Sequence, residues 1–327
     1  MRINHIGVIG AGAWGTALAQ AISLAGLRVS LWAREADVIA QIAQSHENQR
    51  FLPGVRLNES ITAVSVMAAL HDADALLLAC PAQHLRAVAS DLARVLPAGR
   101  PVLICAKGIE RQTGQLMTEV ALQSAPAVTF GMLSGPSFAG EVARGLPCAV
   151  TLALENAETA DAIARAVGTT AFRPYVSSDV TGVAIGGAVK NVLAIACGIV
   201  EGRGLGESAR AALTTRGFAE MTRFGLALGA RIETMGGLSG LGDLILTASS
   251  RQSRNFSLGI RLAQGGAVDE SGPLAEGAAT ADALVQRARA VGIQMPIAEA
   301  VADIVAGRVE VDAAIRALVS RPLKSEH

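Results

Sequence analysis

Short runs of β-branched residues and leucine alternate with longer stretches of helical periodicity in the first half of the chain. This alternation predicts βαβ units around a parallel sheet. From Val180 onward the pattern is helical, interrupted by glycine clusters. The sequence therefore predicts an α/β fold in which a doubly wound sheet is followed by an all-α domain. The predicted strands are 5–10, 28–33, 61–66, 75–80, 101–106, 127–133, 148–154 and 172–176, and the predicted helices between them are 14–25, 36–46, 83–95, 113–123 and 157–167.

The pattern changes at Ser177-Ser178-Asp179, three short polar residues of the kind that cap helices. We place the domain boundary there. The division gives a first domain over 1–179, a helical domain over 180–320 and a tail over 321–327 that we expect to be disordered. A length of 327 residues agrees with two domains of ordinary size.

The charge balance gives no general reason for the chain to bind nucleic acid or an acidic membrane surface. The 28 basic residues equal the 28 acidic ones, so that any anionic partner must be held by a local site. Aromatic residues make up only 3% of the chain, which disfavours a reader of single-stranded nucleic acid by base stacking.

The apolar segment 180–200 is long enough to attract attention as a membrane span, but Lys190 and Asn191 lie at its centre. We predict a buried helix instead. The cysteines show neither C-x-x-C spacing nor a nearby histidine cluster, so the sequence indicates no metal site and no disulfide framework. Small buried thiols in a reducing cytoplasm are the expected interpretation. The four are Cys80, Cys105, Cys148 and Cys197.

A glycine pattern of the form G-x-G-x-x-G follows the first predicted strand and opens the first predicted helix. Gly10 permits a tight turn, Gly12 lets the backbone approach a pyrophosphate, and Gly15 lets helix and strand pack closely. The amino terminus of the helix then faces the phosphates. In this context the pattern predicts a Rossmann-type domain that binds a dinucleotide.

Arg34 and Glu35 follow the second predicted strand. An arginine there can pair with the 2′-phosphate of NADP, whereas an acidic residue binds the ribose hydroxyls of NAD. An ordinary solvated ion pair is the alternative interpretation. The preference between NADP and NAD stays open at this point.

Two lysines lie in unusual surroundings. Lys107 follows a predicted strand at the carboxyl edge of the sheet, where ligands bind in open α/β folds. Lys190 lies within the apolar helix, beside Gly186 and Gly187, whose small size predicts that a ligand approaches the amine. Burial would lower the pKa of such a lysine and a bound phosphate would raise it. A lysine that extends to solvent is the alternative for each.

Ser253-Arg254-Asn255 supplies a hydroxyl, a guanidinium and an amide within three positions, which suits a phosphate or a polyol. A plain surface turn is the alternative. Asp243 either caps a helix or orients a neighbouring amine.

Together these features resemble the bacterial NAD(P)-dependent glycerol-3-phosphate dehydrogenases over about residues 5–320. The similarity rests on many separate segments. They are GAGAWGTALA at 10–19, LWAR at 31–34, FLPG at 51–54, AKGIE at 106–110, SGPSFAGE at 134–141, GGAVKNVLAI at 186–195, GLSGLGDLILT at 237–247, QSRN at 252–255 and Ala275-Glu276-Gly277. The continuation AATADAL departs from the more polar, arginine-bearing sequence expected of the family.

The resemblance implies that Lys190 exchanges the proton at the C2 oxygen of the substrate. The substrate contacts it implies are Lys107, Gly135, Ser137, Lys190, Asp243, Ser253, Arg254 and Asn255. The cofactor contacts it implies, together with the glycine pattern, are Gly10, Gly12, Ala13, Trp14, Gly15, Arg34, Lys107, Ala139, Arg254, Leu274 and Glu276. It also implies a homodimer.

The implied reaction is reversible hydride transfer between NADPH or NADH and dihydroxyacetone phosphate, which gives sn-glycerol 3-phosphate for phospholipid biosynthesis, with no metal required. Two alternatives remain. One is a dehydrogenase of the 3-hydroxyacid or 6-phosphogluconate type, which shares the two-domain plan and a lysine on a helix. The other is a sensor that binds NAD(P)H without chemistry.

Overall fold

The computed structural model describes residues 2–268 and 275–322. The predicted cofactor contact Leu274 and most of the predicted tail lie outside these residues. The strands are β1 His5–Ile9, β2 Arg28–Trp32, β3 Glu47–Asn48, β4 Leu52–Arg56, β5 Ile61–Val64, β6 Ala75–Leu78, β7 Pro101–Ile104, β8 Thr129–Ser134, β9 Cys148–Ala153 and β10 Phe172–Ser177. The α-helices are α1 Ala13–Leu24, α2 Ala36–Ser45, α3 Leu85–Leu92, α4 Met117–Ser124, α5 Ala139–Ala143, α6 Ala157–Val167, α7 Val180–Gly202, α8 Glu207–Ala227, α9 Ile232–Met235, α10 Asp243–Ala248, α11 Arg254–Ala263, α12 Glu276–Ala290, α13 Pro296–Val305 and α14 Val311–Val319.

Eight strands form one sheet in the order β10-β9-β8-β7-β6-β1-β2-β5. All eight predicted strands are present and the predicted parallel sheet is confirmed for every neighbouring pair except one, since β9 runs antiparallel to β8. The connection between them holds only the five-residue helix α5 and no crossover helix of the length that a parallel return requires. The short hairpin of β3 and β4 was not predicted from the sequence.

Helix α7 is the centre of the second half of the chain. Asp179 caps it by accepting a 2.8 Å hydrogen bond from the Gly182 amide, in agreement with the predicted helix start. Its apolar segment is long enough to cross a membrane, yet that segment is entirely inside the protein. Helix α11 packs backbone to backbone against α7, since a Cβ on Gly198 would lie 2.0 Å from the Phe256 carbonyl oxygen. This close approach brings the start of α11 beside the middle of α7.

A buried carboxyl on α8 joins it to the first turn of α13. Glu220 is 4% exposed and accepts hydrogen bonds from the amides of Ile297 and Ala298, at 2.9 Å and 3.4 Å. Burial raises its pKa to about 7, although these amides and Arg223 act in the opposite direction. A carboxyl whose pKa is raised in the folded state favours folding at low pH, and this contribution is lost as the pH rises from about 4.5 toward 7.

We therefore expect Glu220→Gln to gain stability relative to the native protein over that pH range. The difference in unfolding free energy should grow by at most about 1.4 kcal/mol per pH unit, because one proton is involved. Urea unfolding at several pH values measures it. Glu207→Gln, at the exposed start of the same helix, is the matched control and should leave the pH dependence unchanged. If the unfolding free energies of Glu220→Gln and the native protein changed in parallel with pH, the raised pKa of Glu220 would be contradicted.

Candidate active site

The glycine turn between β1 and α1 has the geometry expected of a dinucleotide site. Gly10 adopts φ 104°, and a Cβ on Gly15 would lie 1.8 Å from the Gly10 carbonyl oxygen, so neither position accepts a side chain. A Cβ on Gly12 would meet no atom within 4 Å, which leaves its backbone open to a ligand. Ala13 begins α1, and the buried Trp14 Nε1 lacks a hydrogen-bond acceptor within the described residues. The turn therefore fits a bound pyrophosphate.

Arg34 and Glu35 lie beside this turn because the Gly10 amide donates a 2.9 Å hydrogen bond to the carbonyl of Trp32 at the end of β2. The Arg34 side chain is 77% exposed and its guanidinium lies 3.4 Å from the Glu35 carboxylate, which is 25% exposed. Arg34 and Glu35 therefore form the ion pair that was the alternative interpretation of these two residues.

The predicted lysines meet at one buried carboxylate. Lys190 Nζ donates to Asp243 Oδ1 at 2.8 Å, and Lys107 Nζ donates to Asp243 Oδ2 at 2.7 Å. Asp243 is 1% exposed and makes no capping hydrogen bond, so the helix-cap alternative does not apply. Neither lysine extends to solvent, since their side chains are 9% and 15% exposed. These three residues are far apart in the sequence. Contacts among α7, α10 and the carboxyl edge of β7 bring them together.

The space beside Gly186 and Gly187 is filled by other residues of the protein. This corrects the expectation that these glycines leave room for a ligand. A Cβ on Gly186 would lie 2.5 Å from the carbonyl oxygen of Ser239. One on Gly187 would lie 3.2 Å from the Lys107 side chain. The small residues therefore allow the 238–242 turn, a π-helical segment, and Lys107 to pack against α7. This packing is what delivers Asp243 to the amine.

The electrostatics of the cluster favour a lysine that exchanges protons near neutral pH. Burial lowers the pKa of Lys190 to about 8, with Lys107 and Arg254 acting in the same direction and Asp243 opposing them. Burial alone would raise the pKa of Asp243, but the two ammonium groups outweigh it and the pKa falls below the usual value. The carboxylate stays charged while the lysine approaches its titration point.

Two residues that the sequence analysis did not select complete this cluster. Thr247 Oγ1 accepts a 2.8 Å hydrogen bond from Lys190 and donates at 3.2 Å to Asp243. The i,i+4 spacing of Asp243 and Thr247 on one helical face was the available signal. Asn191 Nδ2 donates to the Lys107 carbonyl at 3.4 Å. Its only signal was its position next to Lys190 in the apolar helix.

Asn255 continues the polar contacts from Asn191 to α12. Its Nδ2 donates to Asn191 Oδ1 at 2.9 Å, and its Oδ1 accepts from the Gly277 amide at 2.9 Å. Asn255 is thus engaged within the protein at both ends of its amide, with one N–H left for another acceptor. Ser253 caps α11 by accepting from the Phe256 amide at 3.2 Å. The triplet is therefore the start of a helix and not a plain surface turn.

Arg254 is the exposed member of the triplet, and it is close enough to the amine to affect the pKa of Lys190. Helix geometry leaves the Arg254 and Asn255 amides of the first turn of α11 without intrahelical acceptors, whereas the Phe256 amide is bonded to Ser253. The Arg254 guanidinium and these amides together suit a phosphate. Gly135 has no room for a side chain, since a Cβ would lie 2.8 Å from Val150 Cα. Ser137 donates to the Gly135 carbonyl at 3.0 Å.

Glu276, a predicted cofactor contact, is the first residue of α12. Its Oε1 accepts from the Ala82 amide at 3.1 Å, whereas Oε2 is buried and has no partner among the described residues. Burial raises the pKa of this carboxyl. A buried acceptor without a donor fits a ligand N–H. Ala139, the remaining predicted cofactor contact, begins α5 and packs partly buried against the core on the α1 side of the sheet.

The cysteines do not contribute a chemical group to this site. Burial raises the pKa of Cys80 and Cys105 to about 12, so both stay as thiols at neutral pH. All four are free, and Cys148 is only half-buried, contrary to the expectation that each is buried. Over residues 2–268 and 275–322 there is no cluster of side chains that would hold a metal ion.

Comparison with known proteins gives matches over nearly the whole chain. The models for the N-terminus and the C-terminus of NAD-dependent glycerol-3-phosphate dehydrogenase match residues 5–160 and 179–316. The glycerol-3-phosphate dehydrogenase (NAD(P)+) of Parvibaculum lavamentivorans is 57% identical, over 100% of this chain and 99% of its own. That of Caulobacter vibrioides is 55% identical over 100% of both chains. The crystal structure of glycerol-3-phosphate dehydrogenase from Coxiella burnetii has a TM-score of 0.92 and 35% identity, covering 98% of this chain and 99% of that one.

Proposed function

The chain belongs to the NAD-dependent glycerol-3-phosphate dehydrogenase family, and from this premise we propose how its residues carry out the reaction. It is an oxidoreductase that interconverts dihydroxyacetone phosphate and sn-glycerol 3-phosphate with NAD(H) or NADP(H), and so serves phospholipid biosynthesis. The alternative of a 3-hydroxyacid-type dehydrogenase is not supported by these relatives. When bound, the nicotinamide supplies or accepts the hydride at C2 of the substrate.

Lys190 is the proton donor to the C2 oxygen in reduction and the acceptor in oxidation. The observation that carries this proposal is the buried amine with a pKa of about 8, held by Asp243 and Thr247. An acid–base group works best when its pKa is near the working pH, because both protonation states are then populated. Bringing the C2 oxygen to Lys190 Nζ gives the developing alkoxide a charged donor in a site with little water.

Lys107 and Asp243 orient this amine. Asp243 receives one donor from each lysine, so its two oxygens fix the separation of the ammonium groups. Lys107, the more exposed of the two lysines, contributes positive charge beside the substrate oxygens. Gly135, Ser137, Ser253 and Asn255 form the rest of the substrate wall in this proposal.

The substrate phosphate is bound by Arg254 and the amino terminus of α11. Helix amides and a guanidinium fork match the charge and geometry of a phosphate. The phosphate end then lies beside Asn255, while the carbonyl end reaches toward Lys190.

Arg254→Gln tests this assignment of the phosphate. We expect KM for dihydroxyacetone phosphate to rise by about 10-fold to 100-fold, the loss of one charge-assisted pair, with a smaller change in kcat. Initial rates over a range of substrate concentrations measure it. Arg251→Gln is the control, since Arg251 is exposed three positions earlier and pairs with Glu201 at 3.8 Å. An unchanged KM in Arg254→Gln would place the phosphate elsewhere.

The cofactor is held by Gly10, Gly12 and Gly15 at the pyrophosphate, with Ala13, Trp14 and Ala139 along its length. Arg34 lies at the adenosine ribose, and Lys107, Arg254 and Glu276 lie toward the nicotinamide end in this assignment. Two observations support it: Glu276 Oε2 has no hydrogen-bond partner among the described residues, and the backbone at Gly12 is open. Leu274 is part of the same proposal from family resemblance, outside the described residues.

The direct test of the function is the absorbance decay of NADPH and of NADH, side by side, with dihydroxyacetone phosphate. We expect turnover with at least one of the two. Turnover only with a 3-oxoacid semialdehyde, or ligand binding without turnover of either carbonyl compound, would overturn the proposal. We further propose a cytoplasmic homodimer with a domain boundary at 179/180, which sedimentation and limited proteolysis would test.

A further inference from the structure

The adenosine end of the cofactor site carries paired opposite charges. Arg34 contacts Glu35 at 3.4 Å. Two positions later, Asp37 in the first turn of α2 pairs with Arg50 at 3.1 Å, and the Arg50 guanidinium lies 5.1 Å from the centre of the Phe51 ring. Each of these two arginines therefore has its own carboxylate. The net charge of these four groups is zero.

NADP differs from NAD only by a 2′-phosphate, which carries a charge near −2 at neutral pH, so this local balance bears directly on cofactor choice. A free arginine would attract that phosphate strongly. Here Arg34 is already paired, and any phosphate that reaches it must approach a carboxylate of like charge. The 2′-hydroxyl of NAD, by contrast, is a donor for which a carboxylate is a good acceptor.

The side chains of Arg34 and Glu35 differ in how freely they can move toward a bound cofactor. Arg34 is 77% exposed, whereas Glu35 is 25% exposed and precedes the first residue of α2. The backbone at this point is tied to the glycine turn through the hydrogen bond from Gly10 to Trp32. Arg34 can turn toward a ligand, while the carboxylate remains close to the position where the ribose is expected.

We propose that Glu35 is a specificity-determining residue that offsets the attraction of Arg34 for the 2′-phosphate and lets the enzyme use NADH. This inference rests on the proposed function, and it adds an acidic determinant to the arginine that family resemblance places there. Arg34 favours NADPH and Glu35 favours NADH. The chain's cofactor preference is set by the balance of this one pair.

The test is the dissociation constant of NADPH and of NADH, measured by nicotinamide fluorescence without substrate, for the native protein, Glu35→Gln and Arg34→Gln. In Glu35→Gln we expect NADPH to bind about tenfold more tightly and NADH to bind equally or up to about threefold more weakly. In Arg34→Gln we expect NADPH to bind about tenfold more weakly with little change for NADH. The ratio of kcat/KM for the two cofactors should move in the same direction.

Asp91→Asn is the charge-matched control, because Asp91 is an exposed carboxylate paired with Arg94 at 3.2 Å near the far end of α3. Equal effects of Glu35→Gln and Asp91→Asn would reduce the result to net charge and overturn the proposal. So would equal tightening of both cofactors, or no change in either. Loss of dihydroxyacetone phosphate turnover in the native protein would instead overturn the proposed function, and leave the binding comparison intact.

Discussion

Replacing Lys190 by methionine is expected to lower kcat for reduction of dihydroxyacetone phosphate by about 10²-fold to 10⁴-fold, the range attributed to a positioned acid–base group. Methionine keeps a linear side chain in the buried position but has no proton to transfer. The affinity for NADPH in the absence of substrate should change little, since the amine lies with Asp243 and Thr247 and away from the glycine turn. Steady-state rates and fluorescence titration measure the two quantities.

Lys190→Arg separates proton transfer from charge. Arginine keeps the positive charge beside Asp243 but does not give up its proton at any accessible pH. We expect it to be nearly as impaired as methionine in both directions of the reaction. Substantial activity in Lys190→Arg would show that charge alone suffices, and Lys190 would then not be the proton donor.

The pH dependence of the native enzyme follows from the same amine. A donor with a pKa of about 8 is protonated below that value, so the rate of reduction should fall as the pH rises through it. Oxidation requires the neutral amine, so its rate should fall as the pH drops through the same value. Bound phosphate raises the lysine pKa, and the transition for kcat should therefore lie above that for the free enzyme.

Hydrophobic patterning was sufficient to predict the sheet strands, the helices between them and the buried helix α7, because these are short apolar runs, amphipathic stretches and one long apolar segment. The glycine turn was equally predictable, since it depends on adjacent residues only. The antiparallel direction of β9 was not predictable in this way, because it follows from the absence of a full-length crossover helix in the 135–147 connection. The β3–β4 hairpin has too few residues for an alternation to be visible.

In the candidate site, too, single residues could be found from the sequence, whereas their contacts could not. Lys190 and Lys107 were found as single unusual residues, but nothing local indicates that both share Asp243, which is 53 and 136 positions away from them in the sequence. The small size of the glycines beside Lys190 was recognised from the sequence, but it was wrongly taken to leave room for a ligand. Their missing side chains make space for the 238–242 turn, and only the packed fold reveals which group fills that space.

Asp243→Asn is expected to destabilise the protein and to disable it. Removing one partner of a buried charge pair typically costs about 3–5 kcal/mol, because the charge left behind loses both water and its counterion. Here the stranded charge is the ammonium of Lys190, since Lys107 retains some solvent contact. The pKa of Lys190 should fall further below about 8, so the proton needed for reduction is held less often at neutral pH.

A double-mutant cycle distinguishes this cause from a general packing defect. If the stranded amine is responsible, Asp243→Asn should cost far less unfolding free energy in a Lys190→Met background than in the native one. The cost in the native background should also shrink as the pH rises from 7 toward 10, because Lys190 then loses its charge and no longer needs the carboxylate. Urea unfolding of the four proteins at both pH values measures these differences. An equal cost in both backgrounds would mean that Asp243 acts through Lys107 or through the packing of α10, and the assignment of Asp243 as the residue that positions Lys190 would have to be given up.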